Sequence, residues 1–173
     1  MPEQSGVVIR QAGEQDIPAI EGILLDCVNW LNAMGQPLWE ERETRWAFLS
    51  TRYKVEEFSV ASLDGKPAGC MVLTKHRPFY WLDEDATDSL FLHKLAITNA
   101  ARHTGMGNRL LAHAKQQATV RGASAIRLDC EKYRPKQRAF YERHGFECIG
   151  EKTVADKYHT VFYVYEMEWG NEI

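Results

Sequence analysis

The apolar positions of the chain follow two periods, and the switches between them outline the secondary structure. Val7 to Ile9 reads as a first strand. From about Glu14 to Met34, residues Ile17, Ile20, Leu24, Cys27, Val28 and Leu31 recur at helical spacing, and Gly35 follows as a stop signal. Gly13 and Asp16 are both candidate caps, and Pro18 fits an early helical turn better if the cap is Asp16. Gln36 to Arg45 holds a proline, Trp39 and three glutamates and is expected to be a loop. A shorter helix follows through Trp46, Leu49 and Tyr53.

Phe58 to Leu63 and Ala68 to Leu73 are strand-like runs joined by Asp64-Gly65, a strong hairpin signal. Arg77 to Asp88, aromatic and then acidic, is expected to be a loop, and Leu90 to Ile97 a strand. The period then changes: Met106, Leu110, Ala114 and Ala118 line one helix face that Gly122 ends. Ala125 to Cys130 reads as a strand. Pro135 to His144 reads as a short helix with proline first and Gly145-Phe146 closing it. Strands are expected near Phe146 to Glu151 and Tyr158 to Trp169, the second rich in β-branched and aromatic residues. The order β-α-α-β-β-β-α-β-α-β-β predicts a mixed α/β sheet flanked by helices, as one domain over residues 1–173.

Composition narrows the function classes. The chain has 173 residues, 45% hydrophobic and 26% charged, with a formal net charge of −3. That is an ordinary globule with ample core, and its near-neutral balance argues against general electrostatic binding to nucleic acid or anionic lipid. No apolar run approaches the ~20 residues of a membrane-spanning helix. The opening Met-Pro-Glu-Gln-Ser-Gly has neither a basic n-region nor an apolar h-region, so no secretory signal is expected. Cys27, Cys70, Cys130 and Cys148 are scattered inside apolar segments, which predicts buried reduced thiols and a cytoplasmic location. The histidines form no H-x-x-x-H pair, and no metal site is expected.

The chemistry concentrates in Leu95-Ala96-Ile97, then Arg102-His103-Thr104-Gly105-Met106-Gly107-Asn108: a strand, a short loop and the glycine-rich start of a helix. The first turn of a helix has amide N–H groups without helical partners and partial positive charge, which suits a phosphate. Gly105 and Gly107 let a pyrophosphate approach the backbone, and Arg102 adds a forked charged donor. The dinucleotide pattern G-x-G-x-x-G fails at Leu110, and no Walker sequence is present.

A second motif follows at Phe140-Tyr141-Glu142-Arg143-His144-Gly145-Phe146. Together the two resemble the GNAT superfamily of acyl-CoA-dependent N-acyltransferases. The family signature Arg/Gln-x-x-Gly-x-Gly/Ala stands as Arg102-x-x-Gly105-x-Gly107, and the strand Arg127-Leu128-Asp129-Cys130 lies between the motifs at the expected spacing. The resemblance implies a splayed sheet whose gap takes the pantetheine arm of acetyl-CoA along Leu95, Ala96 and Ile97. It puts the pyrophosphate on the amides of Thr104 to Asn108. It implies direct attack of an amine on the thioester, with CoA as product, the Ile97 N–H as oxyanion donor and Tyr141 as the acid for the leaving thiolate. His93 stands where some relatives carry a histidine, and strand alternation puts it on the face of Leu95. It reads equally as a general base and as a half-buried packing histidine. Many relatives have asparagine before the late-helix proline; Arg134 stands here, either reaching a CoA phosphate or starting the helix less tidily.

Glu40, Glu41 and Glu43, and Asp83, Glu84 and Asp85, either attract a cationic acceptor or are solvated loops. Trp30, Trp39, Phe79, Tyr80 and Trp81 either wall the acceptor pocket or pack the fold. The expected acceptor is a small-molecule amine. The alternatives are a peptide or protein amine, and a non-catalytic acyl-CoA-binding module. The oligomeric state is left open, a homodimer among the options.

Overall fold

The structure is a computed structural model and describes residues 6–82 and 84–168. Residues 1–5, Asp83 and Trp169, where the last expected strand would end, lie outside the described residues. The elements run β1 (Val7–Gln11), α1 (Ile17–Ala33), α2 (Trp46–Leu49), β2 (Phe58–Leu63), β3 (Lys66–Thr74), β4 (Ser89–Ile97), α3 (Met106–Val120), β5 (Ala125–Glu131), α4 (Pro135–Arg143), β6 (Glu147–Val154) and β7 (Tyr158–Glu166). The strands form one open sheet of order β1-β2-β3-β4-β5-β7-β6, mixed α/β as expected. By contacts the chain divides into two compact units, residues 1–73 with 93–113, and residues 74–92 with 114–173.

In the first unit β1, β2 and β3 are antiparallel neighbours. The hairpin between β2 and β3 turns on Asp64 (φ 51°) and Gly65 (φ 80°), both left-handed, as a two-residue turn of the right twist requires. Both candidate caps are used at the start of α1. Gly13 precedes a single 3-10 turn over Glu14–Asp16, and Asp16 stands at the cap position of α1. The Asp16 carboxylate accepts two Arg10 bonds at 2.7 Å and the Gly13 N–H at 2.8 Å, which hold it below the usual carboxylate range. Ile20, Ile23 and Leu24 of α1 pack with Leu49, Phe58, Cys70, Val72 and Ala96, and this apolar cluster gives the unit its core.

In the second unit the start of β4 runs parallel to β5, and β5, β7 and β6 are antiparallel neighbours. Trp81 packs edge-on against Phe91 and Phe162 at 5.1 and 4.8 Å. Trp81 is therefore core rather than pocket wall. The loop before β4 is fixed by Arg127, which donates to Ser89 Oγ at 2.8 Å and to the Asp85 carbonyl at 3.1 Å and pairs with Glu84. All four cysteines are free thiols, but only Cys70 and Cys130 are buried; Cys148, on β6 at the sheet edge, is exposed.

Candidate active site

In the first unit, β4 and the start of α3 build a strand edge and a loop-to-helix cradle. Among the described residues the β4–β5 ladder has three pairs and ends at Phe91 opposite Arg127, while β4 runs on to Ile97. Lys94, within that extension, has φ 54°, a left-handed backbone that marks a bulge in the strand. The Thr98 N–H donates to the Ala68 carbonyl of β3 at 2.9 Å. Successive N–H groups of a strand point to opposite edges, so those of Ile97 and Leu95 aim away from β3.

Beyond Thr98 the chain makes a 3-10 turn over Asn99–Ala101, with Thr98 Oγ1 accepting the Ala101 N–H at 3.3 Å. Thr104 donates its hydroxyl back to the Ala101 carbonyl. His103 and Gly105 are left-handed (φ 62° and 80°), and this reversal carries the chain into α3. The ladder of α3 opens with Arg109 N–H to the Gly105 carbonyl at 3.1 Å, so Gly105 to Asn108 lie at the positively polarised end of the helix. A side chain on Gly105 would meet nothing within 4 Å, hence its glycine answers to backbone conformation and open space. Gly107 is the second residue of α3 and carries no such backbone demand. Met106 and Leu110 are buried, and Gly69 of β3 lets Leu110 and the Ala96 carbonyl approach to where a Cβ would lie 2.9 and 3.0 Å away. That close packing fixes the cradle against the end of β4.

His93 is half-buried, its ring 5.6 Å from Tyr53, and Tyr53 packs on the cluster that contains Ala96. His93 is therefore on the Ala96 side of β4, not the Leu95 side: the bulge at Lys94 breaks the alternation. Nor does it keep an ordinary imidazole pKa. Burial first, then the charges of Lys94 and Arg52, push it down to about 4, against a smaller upward pull from Glu57. Lys94 Nζ sits over the Trp39 ring at 4.4 Å, and the Arg102 guanidinium over Trp30 at 3.7 Å. Near Trp39 the acidic run is engaged locally: Arg42 pairs with Glu40 at 2.7 Å, Arg45 with Glu41 at 3.5 Å, and Glu43 accepts the Glu40 N–H at 2.7 Å.

The second unit carries Tyr141. Gly145 (φ 86°) closes α4, and the Phe146 N–H returns to the Tyr141 carbonyl at 3.1 Å, the glycine-plus-hydrophobic ending expected of this motif. Tyr163 of β7 ties down α4 by accepting from Arg138 at 2.9 Å and donating to Glu142 at 2.7 Å. Tyr141 is 6% exposed, and burial, followed by the Cys130 thiol, raises its phenol pKa far above the usual value. A hydrogen bond from Gln137 acts in the opposite direction. Gln137 stands one turn before Tyr141, and its buried Oε1 has no partner among the described residues. Sequence reasoning misses this neighbour, although i,i+4 spacing on α4 is the available signal. It also misses Asp129, which accepts the Tyr80 hydroxyl at 3.1 Å. Arg134 precedes α4 without capping it, and its Nε pairs with Glu131 at 2.8 Å.

The first unit thus offers a glycine-containing helix start and a stretch of β4 that runs on past its ladder with β5, with half-buried His93 in the same unit, while Tyr141 is buried in the second. The chain matches the model of the Acetyltransferase (GNAT) family over residues 24–146. It is 26% identical over 142 residues to "Uncharacterized N-acetyltransferase YesJ" of Bacillus subtilis (strain 168), covering 79% of each chain. Its fold matches a GNAT-family acetyltransferase from Listeria monocytogenes 4b F2365 with TM-score 0.77, 21% identity, and 94% of this chain and 98% of that one covered. It also matches N-acetylglutamate synthase from Neisseria gonorrhoeae, complexed with coenzyme A and L-arginine, with TM-score 0.65 and 23% identity over 96% of this chain and 34% of that one. With 24–146 spanned by the family model and the same fold in these neighbours, this chain belongs to the Acetyltransferase (GNAT) family.

Proposed function

We propose that the protein transfers the acetyl group of acetyl-CoA to the amine of a small-molecule acceptor. The observation that carries this reading is that β4 leaves its ladder at Phe91, bulges at Lys94 and runs directly into the cradle of Arg102, Gly105 and Gly107. Open space at Gly105 and the positively polarised start of α3 fit a pyrophosphate, and the β4 edge at Leu95 and Ile97 fits the amides of a pantetheine arm. Bound there, acetyl-CoA supplies an activated acyl thioester. The exposed side chains of His103, Thr104 and Asn108 flank the same anion, while Arg134 is assigned to its pair with Glu131.

Each protein group has a distinct role in this proposal. The Ile97 N–H stabilises the developing oxyanion. His93 takes the proton of the amine; burial keeps it in the neutral, accepting form down to about pH 4 and makes it a weak base. Tyr141 returns a proton to the leaving sulfur, and its raised pKa keeps the phenol protonated throughout the physiological range. The preference for a small acceptor rests on the compact aromatic surroundings of β4, Tyr53 against His93 and Trp39 against Lys94.

Thermal unfolding with CoA and acetyl-CoA, followed by thiol release with a panel of small amines and peptides, tests the reading. At a hundredfold excess over Kd the gain is about 2.7 kcal/mol, or roughly 5–10 °C for a chain of this size. Gly107→Glu sets a negative charge in the cradle and removes that gain. A folded Gly107→Glu protein that binds CoA as tightly as wild type refutes the cradle. Stabilisation without turnover of any amine identifies an acyl-CoA-binding module instead.

A further inference from the structure

We propose that Trp30 and Asp26 of α1 are positioning residues for the anion cradle, turning Arg102 so that its donor edge, not its face, meets the phosphate. This rests on the reading of that loop as the pyrophosphate site. Asp26 and Trp30 stand four residues apart on α1, hence on one helix face. Both grip the segment that leads to the cradle. The Asp26 carboxylate accepts the Asn99 N–H at 2.6 Å, at the first residue of the 3-10 turn, and the Trp30 ring lies 3.7 Å from the Arg102 guanidinium carbon, one residue past the end of that turn. A separation this short accommodates only a flat stack. The N–H groups of a guanidinium radiate in its own plane, so a flat stack occupies the face and leaves the donor fork outside the ring. The same stack restricts the side-chain rotamers that Arg102 would otherwise lose on binding an anion.

The two residues thus give α1 a role at a site that the signature motif places on β4 and α3. The signature admits an arginine at the cradle, but does not specify what holds it. Here the holder is an indole that comes from 72 positions earlier in the chain.

The test is CoA affinity by calorimetry together with steady-state kinetics for wild type, Trp30→Leu, Trp30→Phe, Arg102→Ala and the Trp30→Leu/Arg102→Ala double variant. Leucine keeps apolar packing on α1 and removes the π face. Trp30→Leu weakens CoA about tenfold and raises KM for acetyl-CoA with kcat unchanged, whereas Trp30→Phe recovers most of the loss. In the Arg102→Ala background the same leucine changes affinity less than about twofold, and S-acetylpantetheine, which lacks the pyrophosphate, reacts equally well with wild type and Trp30→Leu. An equal loss in both backgrounds, or a matching loss with S-acetylpantetheine, makes Trp30 a packing residue and overturns the inference. Wild type that binds CoA while Trp30→Leu binds it equally well also overturns it and leaves the cradle standing. Wild type that binds no CoA removes the cradle reading itself.

Discussion

Acid should destabilise this protein through His93 in a pH window set by burial. An imidazole has an ordinary pKa of 6.5, and that of His93 in the folded chain lies near 4. Above about pH 6.5 the residue is neutral in both the folded and unfolded states and contributes no pH dependence. Between 6.5 and 4 the unfolded chain binds a proton that the folded chain does not, so folding stability falls as pH falls. The slope reaches about 1.4 kcal/mol per pH unit, and the accumulated loss approaches about 3 kcal/mol by pH 4, where it levels off. Lys94 and Arg52 deepen this loss and Glu57 lessens it. Urea unfolding of wild type and His93→Gln, followed by intrinsic fluorescence from pH 4.5 to 8, isolates the effect. The glutamine does not titrate, while carboxylates such as Asp16 contribute equally to both proteins and cancel in the difference. The difference curve should be flat above pH 7 and tilt against wild type below 6.5. Parallel curves over the whole range mean that His93 ionises as freely in the fold as in water and that burial does not depress it. The same shift moves a catalytic signature: with His93 as the base, its protonation steepens the fall of kcat/KM below pH 5 rather than near 6.5, on top of the slope that amine protonation already imposes.

Tyr141→Phe should lower kcat by roughly ten- to a hundredfold with the acetyl-CoA dissociation constant unchanged, and a kcat within about a factor of two returns Tyr141 to the core aromatics. The same change leaves the Gln137 amide unpaired, at about 1–3 kcal/mol, so melting should fall by several degrees. Gly69→Ala should lower the urea midpoint by the equivalent of about 1–3 kcal/mol, because its Cβ would lie 3.0 Å from the Ala96 carbonyl and 2.9 Å from Leu110; an unchanged midpoint shows that α3 can shift freely on β4.

What could be read in the sequence was what depends on local spacing. The helix face of Met106, Leu110, Ala114 and Ala118 announces α3, and Pro135 with Gly145 brackets α4, because helix periodicity and cap chemistry act within a few residues. The bulge at Lys94 could not be read. Lysine has no preference for φ > 0, and it is the surrounding fold that places it there, so alternation misplaced His93 by one face. Long-range partners were equally hidden. Nothing local pairs Trp30 with Arg102 or Arg127 with Glu84, and so the acidic loop, open in the sequence to a cation-attracting or a solvated reading, is in part the anchor of its own loop. Burial decides the rest: strand pattern marked His93 and motif position marked Tyr141, but the direction and size of each pKa shift follow from which groups close over them.

The two shifts have one cause and opposite signs. Desolvation disfavours whichever form of a group is charged, so it lowers the imidazole of His93 and raises the phenol of Tyr141. Both side chains are therefore uncharged across the physiological range, and that is the form each proposed role needs, an acceptor for the amine proton and a donor for the thiolate. Neither group is strong in that role, because a base near 4 and a phenol raised well above 10 both face uphill proton transfers in water. Their value in the proposed reaction has to come from position and from a dry surrounding in which the thiolate is disfavoured too. The buried Cys130 thiol, pushed up to about 12 chiefly by burial, registers that surrounding in the same unit as Tyr141. In such a site the deprotonation of the incoming amine, rather than the ionisation of either side chain, governs how the rate rises with pH near neutrality.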